Sequence, residues 1–299
     1  MSEISINFSP NKISSNIKSP LRYPGGKSRA VGFLSQFIPK DFSEYREIFF
    51  GGGSFGIFLR QFIKNADSNL FTQNLLKNDI KFIANDLNYD LFCFWQSLKD
   101  SPNELVDGIY KLKNEFSKGR DLYEFLLQRR NIIESKRGIL QRGIDFFILN
   151  RITFSGLLDC GGYSQKAFEG RLTKSSIDRL LVCSSVIKDF EFTCEDFSEA
   201  ILRESEKEVF MFLDPPYFSA TKSRLYGKKG DLHIGFDHTF LAKILKETKH
   251  KFLLTYDDSE FIRELYRDFY IKEYALQYGM NNYKQDKANK GKELLIRNF

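Results

Sequence analysis

The residues best suited to chemistry in this chain stand together in Val209-Phe-Met-Phe-Leu-Asp-Pro-Pro-Tyr217. Five apolar residues form a candidate buried strand, and two prolines cannot continue one, so Asp214 falls at the strand's carboxyl edge. Proline has a fixed φ and no N–H, and it holds the preceding residue extended, so Asp214 to Pro216 make a stiff arm. That arm offers a carboxylate and a bare backbone carbonyl side by side. Two acceptors suit an exocyclic amine with two hydrogens to donate, and Tyr217 supplies a flat face for the ring that carries the amine. Aromatic bases fit this description.

Such an edge needs a sheet behind it. Glu47-Ile-Phe-Phe50 predicts a strand, and Gly51-Gly-Gly-Ser-Phe-Gly56 turns it into a helix from Ser54. The spacing is Gly-x-Gly-x-x-Gly, in which glycines let the backbone approach a ligand where a Cβ would collide with it. A further strand over 81–85 ends at Asp86, whose carboxylate can accept from both hydroxyls of a ribose. That serves a nicotinamide dinucleotide and S-adenosylmethionine equally, and a plain helix cap would need neither. Leu21-Arg-Tyr-Pro-Gly-Gly-Lys27 is a turn that opens a helix with free N–H groups.

Helical periodicity predicts elements over 105–116, 122–134 and 139–152, then 176–186, 239–248 and 260–269. Strands are expected over 190–194, 251–256, 270–278 and 292–297. The pattern is α/β with an inserted helical module: 1–19 a poorly ordered arm, 20–91 and 175–299 the α/β part, 92–174 the module. With 299 residues, 42% of them apolar, the chain can bury one large core and a smaller one. The net charge of +6 permits a polyanionic partner without requiring one. Cys93, Cys160, Cys183 and Cys194 show no Cys-x-x-Cys pairing and the three histidines do not join them, so reduced thiols and no metal are expected. No stretch has the length of a membrane span or the pattern of a signal peptide, which predicts a cytoplasmic chain.

Asp214-Pro-Pro-Tyr217 resembles the catalytic motif of the Dam-type adenine-N6 DNA methyltransferases, the D12 class, alpha group. Three further segments carry the likeness. Leu21 to Lys27 is similar to the family's Leu-Lys-Trp-Ala-Gly-Gly-Lys, with Tyr23 for Trp and Pro24 for the small residue after it. Glu47 to Ser54 is similar to Glu-Pro-Phe-x-Gly-x-Gly-Ser, with Ile48 for Pro. Leu149-Asn-Arg-Ile-Thr-Phe-Ser-Gly-Leu157 resembles the segment that begins the family's DNA-reading hairpin, with Ser155 for the usual Asn.

The resemblance implies a Rossmann-like S-adenosylmethionine-dependent methyltransferase sheet with an inserted, mainly helical DNA-recognition domain. It implies catalysis by Asp214, Pro215, Pro216 and Tyr217. It implies cofactor contacts from Tyr23, Gly25, Lys27, Phe49, Gly51, Gly53, Ser54, Asp86, Asp196, Phe197 and Asp214. It puts Arg22, Arg151, Phe154, Ser155, Leu157 and Asp159 on double-stranded DNA, while the long basic loop with Lys222 and Arg224 suits phosphate contacts. Asp159 stands where GATC readers carry a base-reading Arg. A carboxylate cannot donate to guanine, so a site other than GATC is expected. A monomer is expected, and a cognate restriction endonuclease is left open as a partner. The alternatives are methylation of cytosine N4 or RNA adenine, a dinucleotide-binding oxidoreductase, and a non-catalytic DNA-binding regulator.

Overall fold

The computed structural model describes residues 17–23, 25–64, 80–131, 138–156, 158, 162–218, 235–276 and 291–299. In chain order the helices are α1 (Val31–Leu34), α2 (Ser54–Lys64), α3 (Tyr89–Asp100), α4 (Pro102–Glu115), α5 (Gly119–Asn131), α6 (Ile139–Ile152), α7 (Gln165–Arg171), α8 (Lys174–Ile187), α9 (Phe197–Leu202), α10 (His238–Glu247) and α11 (Glu260–Leu265). The strands are β1 (Glu44–Glu47), β2 (Lys81–Asn85), β3 (Phe190–Thr193), β4 (Val209–Leu213), β5 (Lys251–Asp257), β6 (Tyr270–Leu276) and β7 (Gly291–Arg297).

They form one sheet in the order β3-β2-β1-β4-β5-β7-β6, parallel from β3 to β5 and closed by the antiparallel pair β7 and β6. From β1 the chain winds outward to β2 and β3, then returns to the other flank of β1 for β4. The reversal leaves a switch point between β1 and β4, which is where open α/β sheets bind ligands. Every residue of β4 is buried because neighbouring strands and both sheet faces cover it. Its alternation divides cleanly. Phe210 and Phe212 join the core under α2, α3, α4, α6 and α8, while Val209, Met211 and Leu213 join the core under α9, α10 and α11.

The first strand lies three residues before the stretch its apolar residues predict: β1 is Glu44-Tyr-Arg-Glu47, not 47–50. Its charges find partners in place, Arg46 Nη2 alone among their atoms being buried without one among the described residues. Arg46 donates to Glu44 at 2.6 Å and to the carbonyls of Ala200 and Arg203, and Tyr45 donates to Glu47 at 2.8 Å. Ile48 and Phe50 continue past the strand, their N–H groups bonded to Phe212 O and Asn85 O.

Helix α6 is buried nearly all round, from Arg142 to Ile152, so it is the axis of the helical module rather than an amphipathic cover. Its Asp145 accepts from Arg129 and Gln141, and its Arg142 donates to Asp90 of α3. Buried side chains of α3, α4, α6 and α8 belong to one cluster with those of the sheet. Among the described residues no helix is long and apolar enough to cross a membrane.

Candidate active site

Asp214 leaves β4 at the switch point. Lys27 Nζ lies 2.7 Å from its Oδ1 and 2.9 Å from its Oδ2, and the Thr255 hydroxyl of β5 donates to Oδ1 at 2.7 Å. Lys27 is only 3% exposed, also donates to Gly25 O at 3.0 Å, and sits 4.8 Å from the centre of the Tyr217 ring. Burial raises the pKa of Asp214, and Lys27 and the Thr255 bond oppose it. Beneath Tyr217 lies Tyr256, ring centres 6.0 Å apart, whose hydroxyl is 2.6 Å from Nδ1 of His238. The resemblance assigns Lys27 to the cofactor; here its ammonium grips the carboxylate expected to handle the amine.

The glycine turn after β1 faces this corner. Gly51 and Gly53 have φ of 49° and 64°, which side-chain-bearing residues adopt at a cost. The obstacles to a Cβ are rings of the chain itself: Tyr23 at 2.7 Å for Gly51 and Phe50 at 2.5 Å for Gly53. Ser54 opens α2, 3.7 Å from where a Cβ on Gly26 would stand, so the turns carrying Gly25 and Gly51 meet.

Asp86 accepts from Gly51 N at 2.8 Å and Asn88 N at 2.9 Å, and burial pushes its pKa up to about 6 against those two bonds. Glu47 is buried at the end of β1. Burial pushes its carboxyl up to about 8, against hydrogen bonds from Tyr45 and the Gly56 N–H, with Asp214 and Asp86 adding to the rise. Phe49, Phe197 and Phe236 form an aromatic group with centres 5.2–6.0 Å apart. Asp196 caps α9 through Ser198 N at 2.9 Å.

A second face lies beside the Tyr23 turn. Asn150 of α6 accepts from Arg22 N at 2.9 Å and donates to Arg22 O at 2.8 Å and Gly156 O at 3.1 Å. Gly156 has φ of 76°, and a Cβ there would stand 2.3 Å from Arg22 O, so this crossing requires glycine. Arg22 Nη1 donates to Thr153 O at 3.0 Å. Phe154 is 59% exposed. Arg151, expected on DNA, is 6% exposed and donates to Pro20 O, which makes it first a tie between α6 and the N-terminal segment. Leu157, Asp159, Lys222, Arg224 and the Ser155 side chain lie outside the described residues.

The family model of the D12 class N6 adenine-specific DNA methyltransferases matches residues 23–280. The chain belongs to that family. Among curated relatives it is similar to the Type II methyltransferase M.MjaIII of Methanocaldococcus jannaschii, 25% identical over 95% of this chain and 99% of the relative. It is also similar to M1.LlaDCHI of Lactococcus lactis subsp. cremoris, 23% identical over 97% of each, and to M.CviBI of Paramecium bursaria Chlorella virus NC1A, 22% identical over 88% and 91%.

This adenine-specific DNA methyltransferase also places side chains at the site that motif reading passes over. Thr255, Asn150 and Asn85 are the main ones. Asn85 donates to Ile48 O and Glu195 O and accepts from Thr193 and Glu195 N, which fills all four of its bonds and ties three strand ends together. The available signal was a polar residue inside or ending an apolar run, since a buried polar group must find a partner. Among the described residues no group of three or more His, Cys, Asp or Glu could hold a metal ion.

Proposed function

We propose that this methyltransferase takes its methyl group from S-adenosylmethionine and places it on N6 of an adenine swung out of duplex DNA, at a sequence other than GATC. The reading rests on the corner after β4, where Asp214 is ion-paired with Lys27 and bonded to Thr255 beside the turn that holds Gly51 and Asp86.

The charges fit that cofactor. Three carboxyls, Glu47, Asp86 and Asp214, stand here around one ammonium, Lys27, so the pocket is rich in acids. Such a pocket attracts a sulfonium cation and repels a dinucleotide's pyrophosphate. A pyrophosphate also needs free N–H groups at the start of α2, and Glu47 already takes the one from Gly56. Asp86 would hold the ribose, Phe49 and Phe197 the adenine, and the Gly25 and Gly51 turns the amino-acid end. When bound, S-adenosylmethionine would supply a methyl group on a sulfonium sulfur, whose carbon an amine can attack while the neutral thioether leaves with the electron pair of the broken C–S bond.

The adenine N6 lone pair is delocalised into its ring. Asp214 and the Pro215 carbonyl accept the two N6 hydrogens, which turns nitrogen toward tetrahedral geometry and frees the pair for attack. Lys27 and Thr255 oppose the upward pull of burial on Asp214 and so favour the ionised form, which accepts rather than donates. As the N–C bond forms and positive charge grows on nitrogen, the same carboxylate stabilises it. The surplus proton leaves through Asp214 or water. Extruding the base costs a few kcal/mol, and stacking on Tyr217 returns about 1–3 kcal/mol.

Following its Type II relatives, the chain serves as the modification partner of a restriction endonuclease that recognises the same sequence, acting as a monomer in the cytoplasm. Expression in a methylation-free host, with modified bases mapped across the genome, tests the base, the methylated atom and the sequence at once. The expected result is N6-methyladenine at one short sequence other than GATC, absent with Asp214→Ala. Methylcytosine, or normal methylation by Asp214→Ala, would sink the assignment.

A further inference from the structure

The last residues of β5 meet the corner that follows β4, each at a different point. Thr255 donates to Asp214 at 2.7 Å, the Tyr256 ring lies 6.0 Å from that of Tyr217 with 33° between their planes, and Asp257 accepts from Phe218 N at 2.9 Å. The end of β5 is thus a template against which the corner is laid. Thr255 and Asp257 hold their partners by hydrogen bonds, which have direction. Tyr256 meets Tyr217 by ring contact alone, and that contact leaves a ring free to slide or turn unless the ring beneath it is fixed.

His238 supplies the fixing. Its Nδ1 lies 2.6 Å from the Tyr256 hydroxyl. Its own backbone is set as the first residue of α10, which Asp237 caps by accepting from Phe240 N at 2.9 Å. Both side chains are buried, and the rings of Phe218 and Phe236 meet the imidazole edge-on, with centres 5.5 and 5.0 Å away. Two polar groups buried in such surroundings lose their hydration, which their mutual bond does little more than offset. An apolar pair of similar shape would fill the same space with about the same stability. It would not hold the Tyr256 ring at one angle.

We propose that His238 and Tyr256 are a hydrogen-bonded pair of positioning residues that fixes the Tyr217 ring in the plane on which the extruded adenine stacks. The proposal rests on the reading of this chain as a DNA adenine methyltransferase. The pair acts on methyl transfer through Tyr217, by keeping the adenine, and with it N6, aligned on Asp214.

The test is single-turnover methyl transfer by the full-length protein from labelled S-adenosylmethionine to genomic DNA of a methylation-free host. Tyr256→Phe keeps the ring and removes the hydroxyl. It is expected to slow transfer at saturating cofactor roughly tenfold, within the hundredfold that a misplacement of about 1 Å can cost. The cofactor concentration giving half that rate should stay as in wild type. His238→Leu should have the same effect, and Tyr256→Phe/His238→Leu should be no slower than either single variant, because the two groups act as one. In a Tyr217→Ala background, Tyr256→Phe should slow transfer no further. Urea unfolding followed by Trp95 fluorescence should find the double variant about as stable as wild type. A wild-type rate in Tyr256→Phe, losses that multiply in the double variant or in the Tyr217→Ala background, a loss of cofactor saturation in place of rate, or a double variant much less stable than wild type overturns the positioning role alone. A wild-type protein that transfers no methyl group to adenine overturns the functional reading with it.

Discussion

Asp214 is pulled in two directions, upward in pKa by burial and downward by Lys27 and Thr255. Lys27→Met removes the larger opposing influence, so the carboxyl should take up its proton at a higher pH. A protonated acid presents a hydrogen where the adenine amine needs an acceptor. The acid limb of the pH–rate profile, measured by methyl transfer from labelled cofactor, is expected to move upward, while Thr255→Val moves it less. An acid limb that stays in place would show that Lys27 does not hold Asp214 ionised. Glu47 offers a test through stability. Its folded pKa of about 8 lies above its ordinary 4.5, so the folded state binds the proton more tightly. That stability is fully present below about 4.5 and is lost as pH rises through about 8. Glu47→Gln can keep both partners, accepting from Gly56 N–H and donating to the Tyr45 oxygen. Urea unfolding should therefore show a flatter dependence of stability on pH between 5 and 8 in the variant, with the variant the more stable at the alkaline end.

The strand ends are held by amides rather than by apolar contact. Asn85→Ala would leave the carbonyls of Ile48 and Glu195 and the Glu195 N–H short of partners, at about 1–3 kcal/mol for each group that stays buried. The expected loss is about 3 kcal/mol by denaturant titration, with weakened cofactor binding, because Ile48 and Glu195 lead directly into Phe49 and Asp196. A variant as stable as wild type would mean that water replaces the amide without cost. These elements differ in how far the sequence discloses them. The run Val209 to Leu213 and its Pro-Pro stop announce β4 and the position of Asp214, and α6 matches its periodicity from Ile139 to Ile152. By contrast, β1 is hidden, because Glu44 and Arg46 look like surface residues until Arg46 is seen to bond Glu44 and the α9 carbonyls. The glycines are legible as a turn, but what crowds them is Tyr23 and Phe50, a tertiary fact. Lys27 with Asp214, Arg22 with Asn150 and Asp214 with Thr255 are pairs 187, 128 and 41 residues apart. Spacing along the chain carries no sign of which partner each will meet.

At the scale of the molecule, one sheet carries two cores, and the larger runs without a break from β4 into the helical segment. The apolar side chains of α4 and α6 belong to the same buried cluster as those of α3, α8 and the sheet. Trp95, the only tryptophan in the chain, stands at this junction. It is packed by Phe50 and Phe94 at 5.0 Å and by Phe192 at 6.1 Å, and it donates to Gly51 O at 3.0 Å. Its fluorescence thus senses the sheet, the helical layer and the glycine turn together. Far-UV circular dichroism is dominated by helices, many of them in the inserted segment. If the segment and the sheet share one core, losing either exposes the apolar face of the other, and both probes should report a single urea midpoint. Two resolved midpoints, with dichroism lost before Trp95 fluorescence, would instead show a helical unit able to melt alone. The glycine turn and the Arg22–Asn150 crossing would then be only loosely joined, whereas a shared transition makes them parts of one cooperative frame.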